Sequence, residues 1–137
     1  MEKQFEWTIK ASVGDNTIDE HHNKFLVVLN DLTDALLCGR GGEKLVSIID
    51  FFDEFASVHV SYEERYMLEI GYPKFKEHKI MHDGFIEKCK CIRSDFEKDG
   101  PCEAMAIQIG MYMGNWWVSH ICREDQKYKK FVETGKC

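Results

Sequence analysis

Apolar residues recur at helical spacing in four blocks along the chain. Ile18, His22, Phe25, Leu29, Leu32 and Leu36 step by 4, 3, 4, 3 and 4, which lines one face of a helix. A second stripe is Leu45, Ile48, Phe52, Phe55, His59, Tyr62/Glu63 and Tyr66. A third is Phe75, His78, His82, Phe85, Cys89, Ile92 and Phe96, and a fourth is Ile109, Met113, Trp116 and His120, continuing towards Tyr128. Helix breakers separate them: Gly39-Arg40-Gly41-Gly42, Gly71-Tyr72-Pro73 and Asp99-Gly100-Pro101. No strand-like alternation competes, and no internal repeat is present. Four helices of roughly 20 residues or more on short connections predict an all-α fold, an antiparallel up-down-up-down four-helix bundle. Ahead of it, Phe5, Trp7, Ile9 and Val13 follow no period and lead into Gly14-Asp15-Asn16-Thr17. That predicts an extended N-terminal arm, with Asp15 or Thr17 capping the first helix. The chain then divides into an arm over 1–17 and a bundle over 18–132, one domain across 1–137.

Composition narrows the partners. With 18 basic and 24 acidic residues the net charge is −6, which disfavours nucleic acid. No apolar run reaches the roughly 18 residues of a membrane span. No apolar segment follows a basic start at residues 1–6, so no signal peptide is visible and a cytoplasmic location is expected. The six cysteines contain no CxxC and read as free thiols rather than disulfides or cluster ligands. Met67, Met105, Met111 and Met113 read as core filler.

The stripes carry unusual passengers. Histidines 22, 59, 78, 82 and 120 all fall on core-facing positions, and only His21 falls off. His59 and Glu63 are four apart, as are His78 and His82, so each pair shares a helix face. The pairs flank Gly71 at similar distances, which at a 1.5 Å rise puts them at one height. His22 and His59 each lie about 18 residues from the Gly39–Gly42 turn, and His82 and His120 about 17 and 20 from Asp99–Pro101. One buried histidine is usually a hydrogen-bonded core residue. Five of them beside Glu63 would be costly without a metal. Helical spacing from His120 favours Glu124 as a further carboxylate, with Asp125 one position beyond. Six or seven ligands exceed one four-coordinate zinc. A nitrogen-rich set with carboxylates suits two redox-active first-row ions, iron or manganese. The chain has no Glu-x-x-His, the pair used by ferritin-like bundles.

These residues resemble the hemerythrin family, bacteriohemerythrins in particular. The matching features are Phe5-x-Trp7, Ile18-Asp19-Glu20-His21-His22, His59-x-x-x-Glu63, Met67, Tyr72-Pro73, His78-x-x-x-His82 and Trp116-x-x-x-His120-Ile121-x-x-x-Asp125-x-x-Tyr128. They cover nearly the whole chain. His21 departs from the family, which usually has Gln in its Asp-x-Gln-His motif. His22 is the histidine on the stripe. The resemblance implies Asp125 as the last ligand where spacing would choose Glu124. It implies two non-haem irons, one held by His78, His82 and His120 and the other by His22 and His59. Glu63, Asp125 and an oxo or hydroxo group would bridge them, leaving the second iron an open position for O₂. It further implies reversible O₂ binding for carriage, storage or delivery, and no catalytic residues. The alternatives are an O₂- or redox-sensing module of a signalling protein, or a di-iron enzyme with peroxidase or oxidase activity. A signalling partner is the expectation if the chain is an excised domain. Phe25, Leu26, Phe55, Phe85, Ile86 and Trp116 lie one turn from the ligands and read as core, a few of them lining the O₂ pocket.

Overall fold

A computed structural model describes Trp7 and residues 11–136. Helix α1 is Asn16–Leu37. Helix α2 covers 45–69 in three stretches, α-helical Leu45–Glu54, π-helical Phe55–His59 and α-helical Val60–Glu69, entered through a 3-10 turn at Gly41–Lys44. Helix α3 is Phe75–Asp99. Helix α4 covers 103–134, with Glu103–Trp116 and Asp125–Thr134 joined by a π-helical stretch at Trp117–Glu124. No strand occurs among the described residues. α1 packs on α2 and on the first half of α4, and α2 packs on α3, giving the four-helix bundle that the stripes predict.

The breakers act through backbone chemistry. After α1, Arg40 N–H donates to Ala35 O at 2.7 Å and Gly39 N–H to Leu36 O at 3.0 Å. After α2, Tyr72 N–H donates to Met67 O at 2.9 Å and Gly71 N–H to Leu68 O at 3.1 Å. Both are Schellman closures with a left-handed glycine, φ +70° at Gly39 and at Gly71, which lets the chain reverse at once. Asp15, not Thr17, caps α1, its Oδ2 accepting Ile18 N–H at 3.1 Å. Glu103 on α4 accepts from Gly41 N–H at 3.1 Å and Gly42 N–H at 2.8 Å, tying the α1–α2 turn to the neighbouring helix.

The apolar core falls into two clusters. The larger contains Phe25, Leu29, Phe52, Phe55, Phe85, Ile109, Met113, Trp117 and Ile121. The smaller contains Val13, Ile18, Met67, Tyr72 and Tyr128. On α1, α2 and α4 the polar layer lies between members of the two: His22 between Ile18 and Phe25, Glu63 between Phe55 and Met67, Asp125 between Ile121 and Tyr128. On α3, His78 and His82 lie between Phe75, packed on the smaller cluster, and Phe85 of the larger. The arm is fastened by Asp19, which accepts from Ser12 Oγ at 2.6 Å and Val13 N–H at 2.8 Å. Gln126 Nε2 donates to Ala11 O at 3.1 Å. Trp7 packs on Trp117 with ring centroids 6.4 Å apart, while Phe5 and Ile9 lie outside the described residues.

Two expectations need correction. Met111 is not core filler but 72% exposed, whereas Met67 and Met113 are buried and Met105 half-buried. Trp117 rather than Trp116 is the fully buried tryptophan of α4. The step from Met113 is four residues there, and the π-helical stretch begins at that point.

Candidate metal centre

Seven buried side chains converge between the two apolar clusters: His22, His59, Glu63, His78, His82, His120 and Asp125. Glu63 divides its oxygens. Oε1 lies 3.1 Å from His78 Nε2 and 2.9 Å from His82 Nε2. Oε2 lies 3.2 Å from His59 Nε2 and 3.5 Å from His22 Nε2. Asp125 divides in the same sense, Oδ1 being 3.0 Å from His78 Nε2 and 3.2 Å from His120 Nε2, and Oδ2 being 3.1 Å from His22 Nε2. The donor atoms therefore gather in two groups, one around His78, His82 and His120 and one around His22 and His59, with a carboxylate oxygen turned towards each. All five expected histidines come together, and Asp125 joins them. Glu124 does not, since its side chain is 25% exposed and paired with Lys127 at 3.0 Å.

The π-helical stretch decides between those two carboxylates. Five residues along a regular α-helix turn about 140° past a full circle, which would point Asp125 away from His120. Here Asp125 N–H donates to His120 O, five residues back. The widened turn takes up one extra residue and returns Asp125 to the histidine face. A similar widening in α2 has Val60 N–H donating to Phe55 O, in the stretch Phe55–His59 that ends at His59.

The centre has the unmet valence that a cation satisfies. His22 Nε2, His120 Nε2 and both Asp125 oxygens are buried with no hydrogen-bond partner among the described residues. They approach one another without donor–acceptor alignment, and orphaned lone pairs of this kind are costly when buried. Imidazole nitrogens with shared carboxylates are a suitable donor set for iron.

Electrostatics points the same way. Burial opposes charge on Glu63, yet His59, His22 and His78 override it and hold the carboxyl well below its ordinary value. Burial and Glu63 both work to raise Asp125, and His120 and His22 pull it far below the usual carboxylate range. Burial likewise opposes protonation of His22 and His78, but Asp125 and Glu63 raise them to about 9 and about 10. Burial instead wins at His59, lowering it to about 4. Two ionised carboxylates in an apolar interior thus call for positive charge, from protons or from metal.

The surrounding groups orient the site. Tyr128 Oη donates to Glu63 Oε2 at 3.1 Å, and burial followed by Glu63 and Asp125 keeps that phenol well above its ordinary pKa. Trp116 stacks on His120 with centroids 3.9 Å apart, and Phe55 stacks on His59 at 4.3 Å. His82 Nδ1 lies 2.9 Å from Glu64 Oε2. His21 Nδ1 lies 2.9 Å from His59 Nδ1, so the histidine set aside as off-stripe touches the centre after all. The stripes miss Glu64 and His21 because both act from the flank of their helix, where the apolar period carries no signal.

The profile of the Hemerythrin HHE cation binding domain matches residues 13–132. The chain belongs to the hemerythrin family. Among its relatives, a bacteriohemerythrin of Clostridium acetobutylicum is 29% identical over 130 residues, covering 90% of this chain and 98% of the relative. A bacteriohemerythrin of Stenotrophomonas maltophilia is 27% identical over 128 residues, covering 93% of this chain and 81% of the relative. A myohemerythrin of Theromyzon tessulatum is 28% identical over 125 residues, covering 91% of each chain. The hemerythrin domain is an O₂-binding domain of the non-haem iron class. No helix among the described residues is long and apolar enough to cross a membrane.

Proposed function

We propose that this hemerythrin-family chain binds O₂ reversibly at a di-iron centre, for carriage, storage or delivery. The observation that carries the reading is the division of both carboxylates between a three-histidine and a two-histidine group. His78, His82 and His120 would hold one iron and His22 and His59 the other, with Glu63 and Asp125 bridging. Three histidines against two would leave the second group a ligand short, and O₂ would be received on that side. Bound iron would supply the redox chemistry of O₂ binding. The chain supplies restraint. Phe25, Leu26, Phe55 and Phe85, within one turn of the ligands along their helices, are buried, Phe55 stacks on His59, and together they keep water from the centre. Tyr128 and Glu64 fix Glu63 and His82 in orientation. No group among the seven is left over to serve as a general acid or base, which supports binding rather than turnover.

Metal content with spectra taken before and after admitting air tests this. Two irons per chain, a colourless reduced form and a visible band that appears with O₂ and fades on its removal are expected. Rapid irreversible oxidation with turnover of a peroxide or organic substrate would replace this reading with an enzymatic one. A chain that takes up no iron would end it. His22→Ala and His59→Ala are expected to lower the O₂-dependent band before total iron falls by half.

A further inference from the structure

We propose that His21 is a positioning residue for His59, fixing its ring and tempering the charge it lends to a bound ion. This rests on the di-iron reading above. His59 directs Nε2 inward, 3.2 Å from Glu63 Oε2, and Nδ1 outward, 2.9 Å from His21 Nδ1. A ring that coordinates through Nε2 carries its hydrogen on Nδ1, so His59 Nδ1–H donates and His21 Nδ1 accepts. The hydrogen of His21 then resides on its own Nε2.

His21 is itself held in place. Its ring meets His59 edge-on at 5.0 Å between centroids and Tyr62 edge-on at 5.8 Å. Tyr62 Oη donates to Asp15 Oδ2 at 3.1 Å, the oxygen that caps α1 through Ile18 N–H. The support behind His59 thus runs back to the start of α1. A cavity of 70 Å³ bordered by His21, Phe55, Val58 and His59 lies against it.

The contrast with the other side gives this contact its meaning. His82 has a carboxylate behind it, Glu64 Oε2 at 2.9 Å from Nδ1. A carboxylate acceptor draws the Nδ1 proton and makes the ring a richer electron donor to metal, and an uncharged imidazole does so less. His22 Nδ1 has no hydrogen-bond partner among the described residues. The two-histidine group is therefore backed by an uncharged acceptor at His59 and by none at His22, while the three-histidine group has a carboxylate-backed ring. An ion held by His22 and His59 would accordingly be the less electron-rich of the pair, which would favour its ferrous state.

The contact can be read without iron. In zinc-loaded, ¹⁵N-labelled protein, a ¹⁵N–¹⁵N coupling across the hydrogen bond should join His59 Nδ1 and His21 Nδ1, with the proton on His59. No coupling, or the proton on His21, would overturn the assignment. In ⁵⁷Fe-loaded reduced protein, His21→Glu should shift one of the two Mössbauer doublets and quicken autoxidation roughly tenfold. Glu64→Gln should shift the other doublet, and His21→Gln, which keeps an uncharged acceptor, should restore the wild-type pair. If wild type holds two irons and His21→Glu leaves both doublets and the autoxidation rate unchanged, the inference fails while the di-iron reading stands. If wild type holds no iron pair, the di-iron reading itself fails. If His21→Glu does not fold, the zinc coupling and the His21→Gln spectrum decide.

Discussion

Replacing Tyr128 by Phe isolates one hydrogen bond at the heart of the centre. Tyr128 is fully buried, and its Oη donates to Glu63 Oε2 at 3.1 Å. The ring packs edge-on against Tyr66 at 5.6 Å and Tyr72 at 6.2 Å. Phe keeps these contacts and opens no cavity, so the loss is the hydrogen bond to a charged acceptor. Such a bond contributes about 1.5–3 kcal/mol. At 137 residues each kcal/mol moves Tm by about 3–4 °C, so metal-free Tyr128→Phe should melt roughly 5–10 °C lower. With iron bound, the ions take over the neutralisation of Glu63 and the difference should shrink by half or more. Thermal melts of both forms measure this, with Tyr66→Phe, a half-buried ring in the same cluster, as control. A Tyr128→Phe penalty equal with and without iron would refute the idea that Tyr128 and metal compensate the same carboxylate. A penalty no larger than that of Tyr66→Phe would refute the hydrogen bond's role altogether.

Further outcomes follow from the same geometry. In the metal-free protein, His22 at about 9 and His78 at about 10 stand above the ordinary 6.5. Their protonation stabilises the fold fully below the unfolded value and is lost as pH rises through the folded values. Chelator-treated protein should therefore melt progressively lower from about pH 7 to 10, whereas iron-loaded protein should lose stability on acidification instead. Parallel melting curves for the two forms would count against metal and protons sharing the site. A side chain at Gly41 meets Leu36 Cδ2, and its Cβ would lie 2.9 Å from Ala106 Cβ. Gly41→Ala should thus cost about 1–3 kcal/mol in denaturant titration, and an unchanged midpoint would mean that the turn can yield. Deleting the exposed Arg123 removes the extra residue of the widened turn, leaving His120 and Asp125 four apart and about 40° around a regular helix. That variant should keep its iron, and loss of metal would show that the π-helical geometry is needed for more than register.

The four helices, their order and five histidines level with Glu63 are legible in the chain alone. Those features are periodic and local, and a repeat of 3.6 residues projects them onto one face without knowledge of the partner helices. Even the turns were legible, because a left-handed glycine closes a helix by backbone chemistry alone. The rest depends on how the helices pack against one another. Spacing alone favours Glu124 where the family resemblance implies Asp125, since periodicity assumes an unbroken α-helix. The π-helical turn at Trp117–Glu124 adds one residue that no periodic count contains, and Asp125 takes the place. The buried tryptophan is Trp117, four residues after Met113, where the three-residue step to Trp116 is equally helical. His21 and Glu64 lie outside any stripe, and each meets a histidine, His59 and His82, across a helix–helix interface, 38 and 18 residues away in sequence. Contacts of that kind depend on how two helices are rotated against each other, which is set by the packing of the whole core and not by either segment alone.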